Sequence, residues 1–397
     1  MKKKFHLAIV LATVLVGSSG YSKLYAVADT LDYGFYWVGA NNQQADAVAA
    51  NGTTANTVST AFYDPSKPTV LYFHGWQKGT SKLNYSRETF LYTDPTTKAS
   101  VDTIAKWKAD GWNVAIFYWN QLADEDEVKN AEAKIWSIAG PQKMRYRLSD
   151  GTYGTAFTPT KSVGELALAQ YIAMMVNYQG SEVRFAGHSL GSQLAVNLAK
   201  LVSDYVAANT TKIKLMPKRL ELLDPYWSKD GKTYFGDKYG SAYSSCNGTK
   251  DGKNDWNAEV VRCYIYNMIS KNNLLVTWYK TSAIYDFWVG DQNTPLESIV
   301  AMHNPASYWL NTTDQTGKHV WARFLYFWTK TVATSTGFPK ECTISGTTRT
   351  PTGKITTYAN TPDARVKEMM GNTYYWVQVE GRNTPNPNDD WYERKTR

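Results

Sequence analysis

Gly187-His188-Ser189-Leu190-Gly191 is the stretch of this sequence with the clearest capacity for chemistry. A serine hydroxyl at its ordinary pKa is a weak nucleophile, so a histidine must take its proton and a carboxylate must orient that histidine. The pattern Gly-x-Ser-x-Gly works only on a tight turn between a strand and a helix, where the hydroxyl is lifted clear of a sheet. The flanking residues fit that need. The apolar run Glu182 to Ala186 reads as a strand, and the Ala/Leu-rich stretch Leu190 to Val206 reads as a helix.

The histidine can be sought by elimination, because the chain holds only five. His6 lies in an N-terminal targeting segment, and His188 is the neighbour of the serine, its ring expected to point away. His74 precedes the nucleophile. In a strand–turn–helix hydrolase the order is Ser, acid, His, which leaves His303 and His319. His303, in Ala-Met-His-Asn-Pro-Ala-Ser-Tyr-Trp, is expected in a loop and is favoured; His319 is expected near the start of a helix. The acid has two candidates, Asp224 at the end of the strand Arg219 to Leu223, and Asp286 in Ala-Ile-Tyr-Asp-Phe-Trp. The oxyanion of a tetrahedral intermediate needs fixed donors. The backbone N–H of Leu190 comes with the turn, and Phe73-His74-Gly75-Trp76 is expected to supply a second from Trp76.

The elements that must position these residues follow from the same pass. From about 68 to 224, short apolar runs alternate with helical spacing, the pattern of a parallel sheet covered by helices. Strands are expected at 70–73, 113–119, 182–186 and 219–223, and helices over 99–109, 163–178 and 190–206. The expected fold is α/β: an α/β-hydrolase core with a mostly parallel central sheet and helices on both faces. Two Gly-, Tyr-, Ser- and Asn-rich insertions, about 140–160 and 226–258, are long enough to be functional loops. After Gly337 the texture turns to Thr, Pro, Asn and Gly, and residues 337–397 read as a small β-rich appendage.

Lys2 to Lys4, the apolar run Leu7 to Val16 and Ala26-Val27-Ala28 have the form of a signal peptide over residues 1–28, which puts a hydrolase domain at 29–336 and the chain outside the cell. The formal charge of +8 then falls to +4, because four lysines leave with that segment. Nothing in so small and dispersed a charge points to nucleic acid. In an oxidising compartment Cys246 and Cys263 are well placed to close a short loop, although Cys342 could replace either. Three thiols at these spacings make a poor zinc site, so no metal or other cofactor is expected.

Phe-His-Gly-Trp, Asn-Val-Ala-Ile-Phe-Tyr-Trp, Gly-His-Ser-Leu-Gly, Leu-Leu-Asp-Pro and His-Asn-Pro-Ala-Ser-Tyr, in this order, resemble the pancreatic-lipase family over about residues 68 to 312. The resemblance implies Asp224 over Asp286 as the acid, and a disulfide-bounded lid in the interval that holds Cys246 and Cys263. It also implies hydrolysis of triacylglycerols or phospholipids through an acyl-enzyme. Only about 60 residues follow Gly337, where the animal enzymes carry a β-sandwich of about 110. The expected partner is a lipid or other ester substrate, with contact at a lipid–water interface. No feature indicates a protein partner. A catalytically inactive lipid- or glycan-binding scaffold, a short-chain esterase or a thioesterase are the alternatives.

Overall fold

The computed structural model describes residues 31–48, 60–82, 87–94, 98, 100–239, 246, 250–284, 290–306, 313–331, 340–356, 359–371, 373–381 and 387–397. The signal-like segment and Asp286 lie outside the described residues.

One twelve-stranded sheet organises the described residues. Its first eight strands, in spatial order, are β2 (Gln44–Asp46), β1 (Gly34–Val38), β6 (Asn113–Tyr118), β3 (Thr69–Phe73), β9 (Val183–His188), β10 (Arg219–Leu223), β11 (Leu275–Tyr279) and β12 (Ala301–Asn304). From β6 to β12 neighbouring strands run parallel, and β1 and β2 are antiparallel at the edge. From β6 to β12 this order is that of the parallel core of the α/β-hydrolase fold, with an antiparallel strand, β1, beside it.

Strands β3 and β6 read as nearly unbroken apolar runs because both faces are covered. Along β3, Leu71 and Phe73 join one core and Val70 and Tyr72 the other, as the two-residue period of a strand demands. The first core is closed by α3 (Val128–Trp136), α4 (Val163–Met174), α5 (Leu190–Ala208) and α6 (Asn257–Asn272). On the opposite face lie α1 (Ala105–Ala109) and α8 (Gln315–Trp328), with α9 (Asp363–Met369) against β11 and β12. Helix α4 starts on a capping box in which Ser162 and Glu165 satisfy each other's backbone N–H groups. No helix among the described residues is long and apolar enough to cross a membrane.

Two expectations need adjustment. The stretch 99–109 is not one helix: Ser100–Asp102 is β5, paired with β4 (Leu91–Thr93), and the helix begins only at Ala105. Val101 and Asp102 precede Thr103, whose hydroxyl and N–H both bond to Phe90 O, so a local tether overrides helical propensity. The insertion at 140–160 contains a small hairpin, β7 (Tyr146–Arg147) and β8 (Tyr153–Gly154), after the short helix α2 (Asn120–Ala123) and α3.

The C-terminal segment is β-rich, and the hydrogen-bonded ladder runs into it without a break. β15 (Tyr374–Glu380) pairs in parallel with β12, and β16 (Trp391–Thr396), β13 (Lys340–Ser345) and β14 (Thr348–Ile355) continue the sheet. Trp376, fully buried, fastens this edge, with its Nε1 donating to Glu341 Oε2 at 2.6 Å. A chain ending at residue 339 leaves the β12 edge and the Trp376 site bare. We expect it to be recovered as aggregate; a soluble monomer with an unchanged melting temperature contradicts this account.

Candidate active site

Ser189 stands between β9 and α5 with φ 56° and ψ −126°, a conformation that non-glycine residues rarely adopt. The turn is held by its neighbours. Ser189 N donates to Leu223 O at 3.1 Å, and Ser192 Oγ donates to Gly187 O at 2.7 Å. A Cβ on Gly191 would sit 2.0 Å from Phe73 O, and one on Gly75 would sit 2.7 Å from Ser189 Cβ. The elbow and the loop after β3 therefore touch backbone to backbone. Leu190 is the first residue of the nineteen-residue α5, where N–H groups have no partner inside the helix. Trp76 follows Gly75 on the facing loop. Both sequence-predicted oxyanion donors thus lie on segments that meet at Ser189.

Asp224 ends β10 in the left-handed region, φ 45°, and its own N–H bonds to Tyr279 O at 2.7 Å. Its carboxylate is fully buried and well supplied with donors. Oδ1 accepts the N–H groups of Thr281 at 2.8 Å and Ser282 at 3.0 Å; Oδ2 accepts the Ser282 hydroxyl and lies 2.6 Å from His319 Nδ1. Burial works against the charge, but the hydrogen bonds from His319 and Ser282 outweigh it and hold the carboxyl below its ordinary range. An ionised carboxylate can only accept, so His319 Nδ1 carries the proton and Nε2 is left as the basic nitrogen.

The structure corrects the assignment of the histidine. His303 does not reach Ser189: it lies inside β12, in a row of partners His188, Leu223, Tyr279 and His303 across four strands. At about 4.8 Å per strand the row places it roughly 14 Å from His188. Its ring stacks on Tyr279 at 5.4 Å and faces Trp376 at 5.8 Å, and burial pushes its pKa well below the ordinary value. The loop expected around it is a strand, because Ala301-Met302-His303 fits between β11 and β15 in a fully covered part of the sheet.

His319 sits in the first turns of α8, whose start is capped by Asp314 Oδ1 accepting Gly317 N at 2.8 Å. His188 Nε2 donates to the backbone oxygen of His319 at 2.8 Å, and the two rings are 4.5 Å apart. Burial, then the neighbouring His319, push His188 down to about 3, so it remains neutral and serves as a fixed donor.

Farther along α8, Arg323 forms a partly buried ion pair with Glu88. Glu88 also accepts from Tyr72 at 2.6 Å and from Gln77, on the loop beyond Trp76, at 2.8 Å. Arg323 is the single charge in Val320 to Trp328, and its i+4 spacing from His319 was the available sequence signal for this helix. Nothing in the sequence marks Thr281, Ser282 or Glu88.

No protein-family model matches the chain, and no curated protein matches it. Solved structures similar to it include esterase Est22 (13% identity, 54% of this chain and 55% of that one, TM-score 0.24). Others are LpqC, a poly(3-hydroxybutyrate) depolymerase from Bordetella parapertussis (13%, 59% and 62%, 0.28), and a thioesterase domain from the curacin biosynthetic pathway (12%, 65% and 82%, 0.26). The chain spans just over half the length of Est22. At such TM-scores the fold rests on the sheet order and the elbow, and the likenesses add no argument to it.

Two outcomes are expected. His319→Ala should abolish labelling of Ser189 by a fluorophosphonate, whereas His303→Phe should lower the melting temperature and leave labelling intact; the reverse pattern restores His303. Despite its burial, Glu88 is held down to about 2 by the Arg323 charge first, against an ordinary 4.5. Its stabilisation is therefore complete above pH 4.5 and lost as pH falls toward 2, on the order of 3 kcal/mol. Glu88→Gln should flatten that limb of the stability–pH curve, and an unchanged limb counts against the ion pair.

Proposed function

We propose that this chain is an exported carboxylic-ester hydrolase that acts through an acyl-enzyme on Ser189, with lipid esters as substrates. The observation that carries the reading is the His319–Asp224 pair beside a strained serine at a strand-to-helix turn. In the first half-reaction the Ser189 hydroxyl proton passes to His319 Nε2 as the oxygen bonds to the ester carbonyl carbon. The N–H groups of Leu190 and Trp76 donate to the developing oxyanion. Collapse expels the alcohol, which takes the proton from His319. Water then repeats the sequence on the acyl-enzyme and releases the acid. Asp224 keeps Nδ1 protonated and the ring oriented throughout, and stabilises the imidazolium that forms.

The lipid substrate and the export rest on narrower support. Cys246 and Cys263 are bonded to each other, as in an oxidising compartment, and they bracket the end of the 226–258 insertion between Asp224 and His319. That is the position of a lid in the pancreatic-lipase family, which the motifs resemble. The segment leaving Asp224 is anchored at its root: Gln193 Nε2 donates to Tyr226 O at 2.8 Å, and Glu132 accepts Ser228 N at 2.9 Å.

The test is hydrolysis of triacylglycerol, phosphatidylcholine and a soluble short-chain ester by wild type and by Ser189→Ala. Wild type should cleave a lipid ester with a rate jump above its solubility limit, and Ser189→Ala should be inactive on all three. Activity on the short ester alone makes the chain a plain esterase, and undiminished activity in Ser189→Ala ends the hydrolase reading.

A further inference from the structure

The loop that follows β3 carries Trp76, and five of the polar contacts that shape it come from one short segment, Ala123 to Asp126, between α2 and α3. Gln77 N donates to Ala123 O at 3.2 Å, and Trp76 Nε1 donates to Glu125 O at 2.7 Å. The Asp124 carboxylate spans the rest of the loop, accepting Gly79 N at 2.7 Å on Oδ1 and Ser81 N at 2.9 Å on Oδ2. Lys78 Nζ donates to Asp126 O at 3.1 Å. Trp76 is therefore tied through its ring and through the next peptide, which fixes the direction of its own N–H.

That segment is Asp-Glu-Asp, and Asp124 and Glu125 are completely buried. Two buried carboxylates side by side need counter-charges. The 140–160 insertion brings them. Arg145 makes a two-pronged bond to Glu125, Nε to Oε1 at 2.9 Å and a terminal nitrogen to Oε2 at 2.6 Å. Arg147 reaches Asp124 O at 3.3 Å, lies 3.6 Å from Asp124 Oδ1, and bonds to Asp126 Oδ1 at 2.8 Å. Lys134 of α3 completes the set, 2.6 Å from Glu125 Oε1. Both arginines lie over the Tyr153 ring, at 3.6 and 3.9 Å, and the Tyr153 hydroxyl donates to Glu125 at 3.0 Å. Three acids thus meet three bases, two of them on the strand-and-turn of the β7–β8 hairpin.

We infer that the β7–β8 hairpin is the brace of the oxyanion loop, with Arg147 and Arg145 as positioning residues that act on the Trp76 amide through Asp124 and Glu125. Neither arginine touches the reacting atoms. Removing Arg147 leaves the buried Asp124 carboxylate without the cation 3.6 Å from its Oδ1, and it releases the backbone oxygen of Asp124 that Arg147 also holds. The loop then relaxes where a donor must stay fixed before charge develops. This inference rests on the hydrolase reading above.

The test compares wild type, Arg147→Met and Arg147→Lys on the short-chain ester, and measures inhibition by a trifluoromethyl ketone, which forms a tetrahedral oxyanion adduct. Loss of one oxyanion donor costs about 100- to 1000-fold in kcat, so a loosened donor should cost at least about tenfold. Arg147→Met should lose that factor in kcat with KM within twofold, the inhibition constant should rise by the same factor, and Arg147→Lys should recover much of the loss. If Arg147→Met does not fold, Arg145→Met takes its place, because that side chain is one-quarter exposed. Unchanged kcat, or a loss confined to KM, overturns the brace. An inactive, unlabelled wild type overturns the hydrolase reading instead, so the two failures are distinct.

Discussion

The Asp224 carboxylate is out of water and charged, a state that a protein interior tolerates only when the donors around it are complete. Completing them constrains two separate parts of the chain. The turn after β11 must present two successive N–H groups, from Thr281 and Ser282, to one oxygen. The same serine must turn its hydroxyl to the other oxygen, and α8 must deliver His319 to that oxygen as well. The parallel register of β10 and β11 brings Leu223 level with Tyr279, so the residues just beyond each strand converge without a long connection. The site therefore depends on sheet register as much as on side-chain identity.

Helix α8 belongs to this arrangement through two further anchors. His188, one residue from the nucleophile, holds the backbone oxygen of His319. Arg323, one turn on, is held by Glu88, which also holds Tyr72 of β3 and Gln77 of the loop after it. Helix α8, the turn at Ser189 and the loop after β3 thus share partners. The opposite side of the donor loop is fixed by the acidic segment Asp124 to Asp126.

What was legible in the sequence followed from periodicity and from the elbow motif. The buried strands at 69–73 and 113–118 are nearly continuous apolar runs, those at 183–188 and 219–223 are apolar apart from Arg184, His188, Arg219 and Glu221, and the helix after Ser189 is long enough to declare itself. The histidine was not legible in the same way. His303 stands in a run that reads as a loop because Asn304 and Pro305 follow it, yet tertiary pairing on both sides makes it a strand. His319 reads as a residue near the start of a helix, and only the position of α8 over β9 and β10 shows that this start reaches the sheet's carboxyl end. The C-terminal strands gave a β-like texture, but alternation alone says nothing about which sheet they join.

That junction has a consequence for the order in which the molecule can assemble. β16 is the last strand in sequence but lies between β13 and β15 in space, and β15 is the strand that covers β12. While the nascent chain lacks residues 374–396, the row of aromatic rings at Tyr279 and His303 has no Trp376 to close it, and a parallel edge stays open. Such long-range pairing is slow to form and exposed to aggregation until it does. Closure of the sheet is in this sense delayed: β12 ends at Asn304, and the strand that covers it begins only at Tyr374.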